Sequence, residues 1–328
     1  MNKLFLFFCT LLLTGCQSES KIYIEDRGEI FHTTYSIKYK YGRSLKNEIE
    51  ASLLQFDNSL NPFNTSSVIS KINKNEPVAL DTLFIRVFNK SQELSMLSDG
   101  LFDITVSPLI NAWGFGFKNS EKITPALIDS LKLLVGYEKI RLVNGVIEKA
   151  NPNVQINTSA IAKGYSVDVI ASLLQSYGID DYMIEIGGEI SAKGVNNKGE
   201  CWHIGIERPD DVRSLFSNDY QSIVQLCNKS IATSGSYNNF YVKDGKRYAH
   251  TIDPRTGYPS QTNILSATVI AKDCMSADAY ATVFMMTDTV QTRKIALQQG
   301  LSYLLIVATK DSSHIAITSA DFENYILE

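Results

Sequence analysis

An α+β fold is the class this sequence predicts, from two kinds of hydrophobic periodicity and one set of turn signals. Short apolar runs, alternating or bounded by Gly, Pro, Asn and Asp, recur from Ile22 to Thr318 and read as strands and hairpins. Between them lie segments with apolar residues three and four apart, which read as amphipathic helices. The 328 residues are 44% hydrophobic, enough to bury the core of one large or two moderate domains. A net charge of -4 and the lack of a basic stripe give no support to nucleic-acid binding. These signals do not by themselves arrange the sheets.

The first residues carry an address. Met1-Asn-Lys3 is a short positive segment, and Leu4 to Leu13 is an apolar run too short to span a bilayer comfortably. The run ends in Leu13-Thr-Gly-Cys16, which resembles the lipobox of bacterial lipoproteins, where the Cys becomes the lipidated first residue. Residues 1–16 are thus expected to be a signal peptide and 17–21 a polar tether, with the protein anchored by lipid at Cys16 and facing the periplasm. Beyond Cys9 and Cys16 only Cys201, Cys227 and Cys274 remain. Their spacing fits no zinc pattern and their number is odd, so they read as small buried hydrophobes.

Ile22 to Tyr41 alternates as one or two strands, and Leu45 to Asp57 has the stripe Ile49, Leu53, Leu54, Phe56 of a helix. Ser67 to Asn73 reads as a short helix capped by Ser66 or Ser67, and Thr82 to Ser98 as a longer one that stops at Asp99-Gly100. In Leu101-Phe-Asp-Ile-Thr-Val106 the carboxylate of Asp103 is costly among apolar neighbours, so it either caps backbone or receives hydrogen bonds from a ligand. Trp113-Gly-Phe-Gly116 allows close backbone approach beside aromatic planes and suits a flat ring. A helix at Pro125 to Val135 and a hairpin at Asn144-Gly145 follow.

Ile156 to Asp168 reads as a strand end, a small-residue turn and a helix start that offers free N–H groups to an anion, with Lys163 adding charge. Neither G-x-x-x-x-G-K nor G-x-G-x-x-G is present there. Tyr182 to Ile190 reads as a buried strand broken by Gly187-Gly188, a bulge or a close ligand approach, flanked by Glu185 and Glu189. Trp202 to Pro209 is a further strand, and Ser230 to Tyr237 reads as another small-residue turn, fit for a phosphate or a helix cap. Tyr248-Ala-His-Thr-Ile-Asp-Pro-Arg-Thr-Gly-Tyr-Pro259 is a stiff, polar hairpin end that can present His250 as a proton acceptor. Leu265 to Ala271 is a strand, and Met275 onward a helix whose Asp278 and Thr282, at i and i+4, share one face and suit a hard cation. A helix at Gln291 to Gln299 and strands at Ser302 to Val307 and Ile315 to Thr318 close the chain.

Seven of these segments, in order, resemble the ApbE family of FAD:protein FMN transferases. They are Ser67-x-x-Ser70-x-x-Asn73, Phe102 to Gly116, Ala160 to Asp168, Ile186-Gly-Gly-Glu-Ile190, Ala232-Thr-Ser-Gly235, His250-x-Ile-Asp-Pro-Arg-Thr-Gly257 and Ala277-Asp-Ala-x-Ala-Thr282. The chain departs from the family at Phe31-His-Thr, where Met-Gly-Thr is frequent, and at Leu60-Asn-Pro-Phe63, where Met-Ser precedes an aromatic. Both positions bear on cofactor grip and acceptor choice.

The resemblance implies one domain over residues 22–328. Its sheets would be mixed and largely antiparallel with helices outside, and an FAD cleft would lie between lobes. It implies transfer of FMN from FAD to a Ser or Thr of an acceptor protein, a membrane electron-transport subunit, with release of AMP. It further implies Mg2+ held by Asp278, Thr282 and the Ala162 carbonyl, and His250 as base. The FAD site would draw on Phe31, Leu60, Leu101, Phe102, Asp103, Ser159, Lys163, Tyr165, Gly187, Gly188, Thr233, His250 and Arg255, although Arg255 could instead brace its turn on Asp253. Two other readings stay open from sequence: an FAD pyrophosphatase with water as acceptor, and an exported FAD-binding lipoprotein without turnover.

Overall fold

Ile22 to Tyr41 folds as two strands. β1 (Ile22–Ile30) and β2 (Thr33–Tyr41) pair antiparallel across the two-residue turn Phe31-His32 in a computed structural model. That structure describes residues 22–115, 122–207, 220–235, 240–243, 246–249, 251–309 and 313–327. The signal segment with Cys16, and His250, lie outside the described residues.

The hairpin leads into α1 (Lys46–Leu60), α2 (Val68–Asn73) and α3 (Thr82–Leu97). Side-chain caps start two of these: Ser67 accepts from the Ser70 N–H at 3.2 Å, and Asp81 from the Phe84 N–H at 2.8 Å. The stop after α3 is the left-handed pair Asp99-Gly100, with φ of 53° and 74°. Next come α4 (Ser107–Ala112), α5 (Pro125–Lys132), and the hairpin of β3 (Ile140–Val143) and β4 (Val146–Lys149). Its turn residues Asn144 and Gly145 both have positive φ, as a tight hairpin requires. Then follow α6 (Ala162–Ser176), β5 (Tyr182–Ile186), β6 (Glu189–Lys193), β7 (Trp202–Glu207), β8 (Tyr220–Leu226) and β9 (Lys229–Gly235). The remainder is β10 (Phe240–Lys243), β11 (Lys246–Ala249), β12 (Ile264–Ala271), α7 (Cys274–Phe284), α8 (Thr289–Gln299), β13 (Ser302–Ala308) and β14 (His314–Thr318).

Eight strands make one sheet in the order β1-β2-β5-β6-β9-β12-β13-β14, each neighbouring pair antiparallel. The molecule is therefore α+β, as expected. Side chains alternate between two cores. From β12 and β13, Ala267, Val269, Leu305 and Val307 join the larger helical core, while Ile270, Leu304 and Ile306 join a core on the other face. That second core is covered by Trp202, Ile204, Ile206, Val224 and Leu226 of the β7–β8 hairpin and by Phe322. Burial on both faces explains why these central strands read as continuous apolar runs.

Three expectations are corrected. Gly187-Gly188 does not break one strand; it is the two-residue turn of the β5–β6 hairpin, with φ of 63° and 99° that only Gly takes readily. Ser230 to Gly235 is no turn. It is β9, a central strand, and its small residues let α7 pack close above it. Of Cys201, Cys227 and Cys274, two are paired: Cys201 and Cys227 form a disulfide beside the Trp202–Leu226 end of the β7–β8 pair. An odd count left room for one pair and one free thiol, and the buried free one is Cys274.

Candidate active site

The site is assembled by hydrogen bonds that fix backbone. Asn73 at the end of α2 clamps Ile156 from both sides, its Nδ2 donating to the Ile156 carbonyl at 2.8 Å and its Oδ1 accepting the Ile156 N–H at 2.7 Å. The Asn157 N–H donates to the Ile104 carbonyl at 2.7 Å, joining the Asp103 segment to the approach to α6. Asp168 on α6 accepts the N–H groups of Cys274 and Met275 at 2.9 and 2.8 Å, so α6 satisfies the free start of α7. The Gly164 N–H donates to Asp278 Oδ2 at 2.9 Å.

These ties bring the segments around one cleft of about 590 Å3. Of the residues expected in the site, Leu101, Phe102, Asp103, Ser159, Lys163, Gly187, Thr233, Asp278 and Thr282 line it. Others stand elsewhere. Leu60 is sealed in the helical core, and Phe31 is half-buried against Phe56 with ring centroids 5.5 Å apart. Tyr165 faces a second depression beside Arg86. Gly188 and Ala162 do not line the cleft, although each adjoins a residue that does. Arg255 turns back on Asp253 in a two-pronged pair at 3.1 and 3.0 Å, the bracing role, and is absent from the cleft wall. His250 lies outside the described residues, and its neighbour Thr251 lines the cleft. Trp113 is buried and donates its Nε1–H to the Gly257 carbonyl at 2.9 Å, leaving Phe115 as the ring of its own segment that reaches the cleft.

The α6 start offers fewer free N–H groups than expected of it. Ala162 donates to the Thr158 carbonyl at 2.8 Å, and Gly164 is taken by Asp278. Anion attraction therefore falls to Lys163. Its ammonium meets Glu189 Oε1 at 2.7 Å. Burial pulls Lys163 down, but the Glu189 and Asp278 carboxylates outweigh it and hold the ammonium above its usual range. Burial pushes both carboxyls up, and each raises the need for a cation nearby. Glu189 was legible only as a flank of the glycine pair; its place one residue after a tight turn, in β6, aims it opposite Ile190. Ser234, Phe63 and Asn157 also line the cleft; each lies in a segment the sequence marks, but none is among the residues expected in the site.

Asp103 takes the first of the two roles considered for it, capping backbone. Its Oδ1 accepts the Thr105 N–H and Oγ1–H, each at 2.7 Å, and the residue also faces the cleft. Burial pushes its carboxyl up to about 6 despite those bonds.

A hard cation fits this donor set. Two buried carboxylates face one ammonium, and Glu189 Oε2 is a buried oxygen without a hydrogen-bond partner. Among the described residues no three His, Cys, Asp or Glu side chains gather as a metal cluster. Mg2+ keeps several waters and needs few protein oxygens, so Asp278 and Thr282 suffice in kind.

The same overall fold is found in solved flavin transferases. The chain matches flavin transferase ApbE from Vibrio cholerae with a TM-score of 0.82 at 34% identity, over 93% of this chain and 99% of that one. It matches the apo form of Pseudomonas stutzeri flavinyl transferase ApbE with a TM-score of 0.82 at 28% identity, over 93% and 97%. In sequence it is 36% identical over 312 residues to the FAD:protein FMN transferase of Vibrio cholerae serotype O1, covering 92% of each chain. It is 34% identical over 330 residues to that of Haemophilus influenzae, covering 95% of this chain and 94% of the relative. The family's sequence model matches residues 31–305, and the chain belongs to the ApbE family.

Proposed function

We propose that this protein transfers the FMN half of FAD to a Ser or Thr hydroxyl of an acceptor protein and releases AMP. The observation that carries the reading is the single cleft that combines Phe102 and Phe115 with Lys163, Asp278 and Thr282, in a chain whose relatives are named for this activity. In the reaction the acceptor oxygen forms a bond to the FMN phosphorus while the bond from that phosphorus to the bridging oxygen of the pyrophosphate breaks. The hydroxyl proton passes to a base, assigned to His250 on its sequence position beside Thr251. Lys163 meets the negative charge of the pyrophosphate, and Glu189 holds its ammonium in place. Asp278, Thr282 and the Ala162 carbonyl are the groups proposed to hold Mg2+, which when bound supplies charge neutralisation at the pyrophosphate.

The acceptor is proposed to be a membrane electron-transport subunit, met at the outer face of a bacterial membrane by a lipoprotein anchored at Cys16. A disulfide in the folded domain supports an oxidising compartment. No described helix is long and apolar enough to cross a membrane.

The test uses the protein from Gln17 onward with FAD, Mg2+ and a candidate acceptor domain. The expected result is an acceptor heavier by one FMN unit, with AMP released, both lost on metal chelation and in His250→Ala. Release of FMN and AMP without acceptor labelling, across several acceptors, would replace transfer with hydrolysis.

A further inference from the structure

The β1–β2 turn is built from residues that its backbone disfavours. Ile30 pairs with Thr33, so Phe31 and His32 alone make the turn, with φ of 53° and 59°. A two-residue hairpin turn needs positive φ at both positions, which Asn-Gly supplies at little cost and bulky side chains do not. Strain of this kind persists where neighbouring structure holds it, and it concentrates at functional sites.

The surroundings show what holds the turn and what it presents. Phe31 packs on Phe56 and is anchored in the helical core. Behind the turn, the Gly187 N–H donates to the Thr34 carbonyl at 3.0 Å, and a Cβ on Gly187 would lie 2.9 Å from Thr33 Cγ2. The turn is thus pinned to the β5–β6 turn that lines the cleft. His32 is exposed, and its ring meets that of Phe63 edge to face, centroids 6.3 Å apart at 85°. Phe63 lines the cleft and is 63% exposed.

We propose that His32 is a positioning residue: its imidazole, thrust out by the left-handed turn, fixes the Phe63 ring as the wall on which the isoalloxazine end of the flavin rests. The assignment rests on the transferase reading for the identity of the ligand. It accounts for a strained His where Gly would relax the backbone, because Gly has no ring to offer Phe63. The isoalloxazine is the larger flat apolar surface of FAD, and a broad exposed ring suits it better than it suits the ribose or phosphates.

The experiment measures FAD, FMN and ADP binding and thermal unfolding for wild type, His32→Gly, His32→Phe, Phe63→Ala and the double variant His32→Gly/Phe63→Ala. Relief of strain in His32→Gly is expected to raise the unfolding midpoint by roughly 1–3 °C. The same variant is expected to bind FAD and FMN roughly 2- to 10-fold more weakly, with ADP binding unchanged, and to raise KM for FAD more than it lowers kcat. His32→Phe restores a ring and keeps flavin affinity near wild type. The double variant binds FAD no more weakly than Phe63→Ala, because one contact is removed only once. A His32→Gly protein with wild-type FAD affinity, an equal loss for ADP, or additive losses in the double variant would overturn the assignment while leaving the transferase reading intact. A wild-type protein that binds ADP but no flavin would sink both.

Discussion

Lys163 is the residue on which the charge balance of the cleft turns. It faces Glu189 at 2.7 Å, and Asp278 is near enough to raise it further. Replacing it by Met removes the attraction for the pyrophosphate and leaves two carboxyls to compete for protons. Lys163→Met should weaken FAD binding roughly 10- to 100-fold, the range for a lost charge-assisted hydrogen bond. Adding Glu189→Gln should recover folding stability but not affinity; calorimetric titration and urea unfolding separate the two. Asp103 supplies a pH test. Its folded value of about 6 lies above the usual carboxylate value of 3.8, so its contribution to stability is complete below that lower value and is lost as pH rises through about 6. Wild type should therefore lose on the order of 2–3 kcal/mol relative to Asp103→Asn between pH 3.5 and pH 7. The gap between their urea midpoints, followed across that window, reads the term directly, and a pH-independent gap would place the Asp103 carboxyl in water. Asp103 was legible in the sequence because a charge inside an apolar run is conspicuous, and Lys163 because it adds charge at a helix start after small residues. Phe63 and Ser234 lay in segments the sequence marks but did not stand out within them, since an aromatic or a hydroxyl in a polar stretch is ordinary until the fold brings it to the cleft.

At the scale of elements, the site depends on how closely α6 and α7 approach. A Cβ on Gly164 would collide with the Cys274 carbonyl and stand 2.7 Å from Asp278 Cβ. Neither helix can retreat cheaply, because Asp168 of α6 holds the first N–H groups of α7. Gly164→Ala should then cost roughly 1–3 kcal/mol, the usual range for overpacking, although Ala favours a helix over Gly. It should also raise KM for FAD, because Asp278 and Lys163 move with the two helices. A denaturation midpoint at or above wild type would mean that the helices stand further apart. The Gly was readable only as part of a small-residue turn, since a partner more than 100 residues away sets its role. Elements with strong local signals came through: α1, α3 and the Asn144-Gly145 hairpin lie close to where their periodicity and turn residues put them. β9 did not, because Ala, Thr, Ser and Gly are chosen there for a helix packed above, and local propensity has no view of that helix.

The whole molecule is three layers, with helices over one sheet face and the β7–β8 hairpin over the other. The α+β class was within reach of the sequence, but the strand order was not, since β9 pairs with β6 and β12 through long separations that leave no local trace. The disulfide sits in the thinner layer, the β7–β8 hairpin. Cys201 and Cys227 are separated by 26 residues and close the hairpin at its Trp202–Leu226 end. By the chain-entropy argument a link of that span stabilises by about 3–4 kcal/mol. The cleft lies among other residues, and neither cysteine contributes to its lining. Replacing both by Ser should therefore lower the unfolding midpoint in denaturant by an amount matching that figure, while FAD affinity at 25 °C stays within about twofold, as expected for a change that acts mainly on the unfolded chain. Reductant should move wild type to the position of the double variant and leave the variant where it is. If reduction instead weakens FAD binding in step with stability, the hairpin layer and the cleft belong to one cooperative unit, and the sheet transmits the loss from one face to the other.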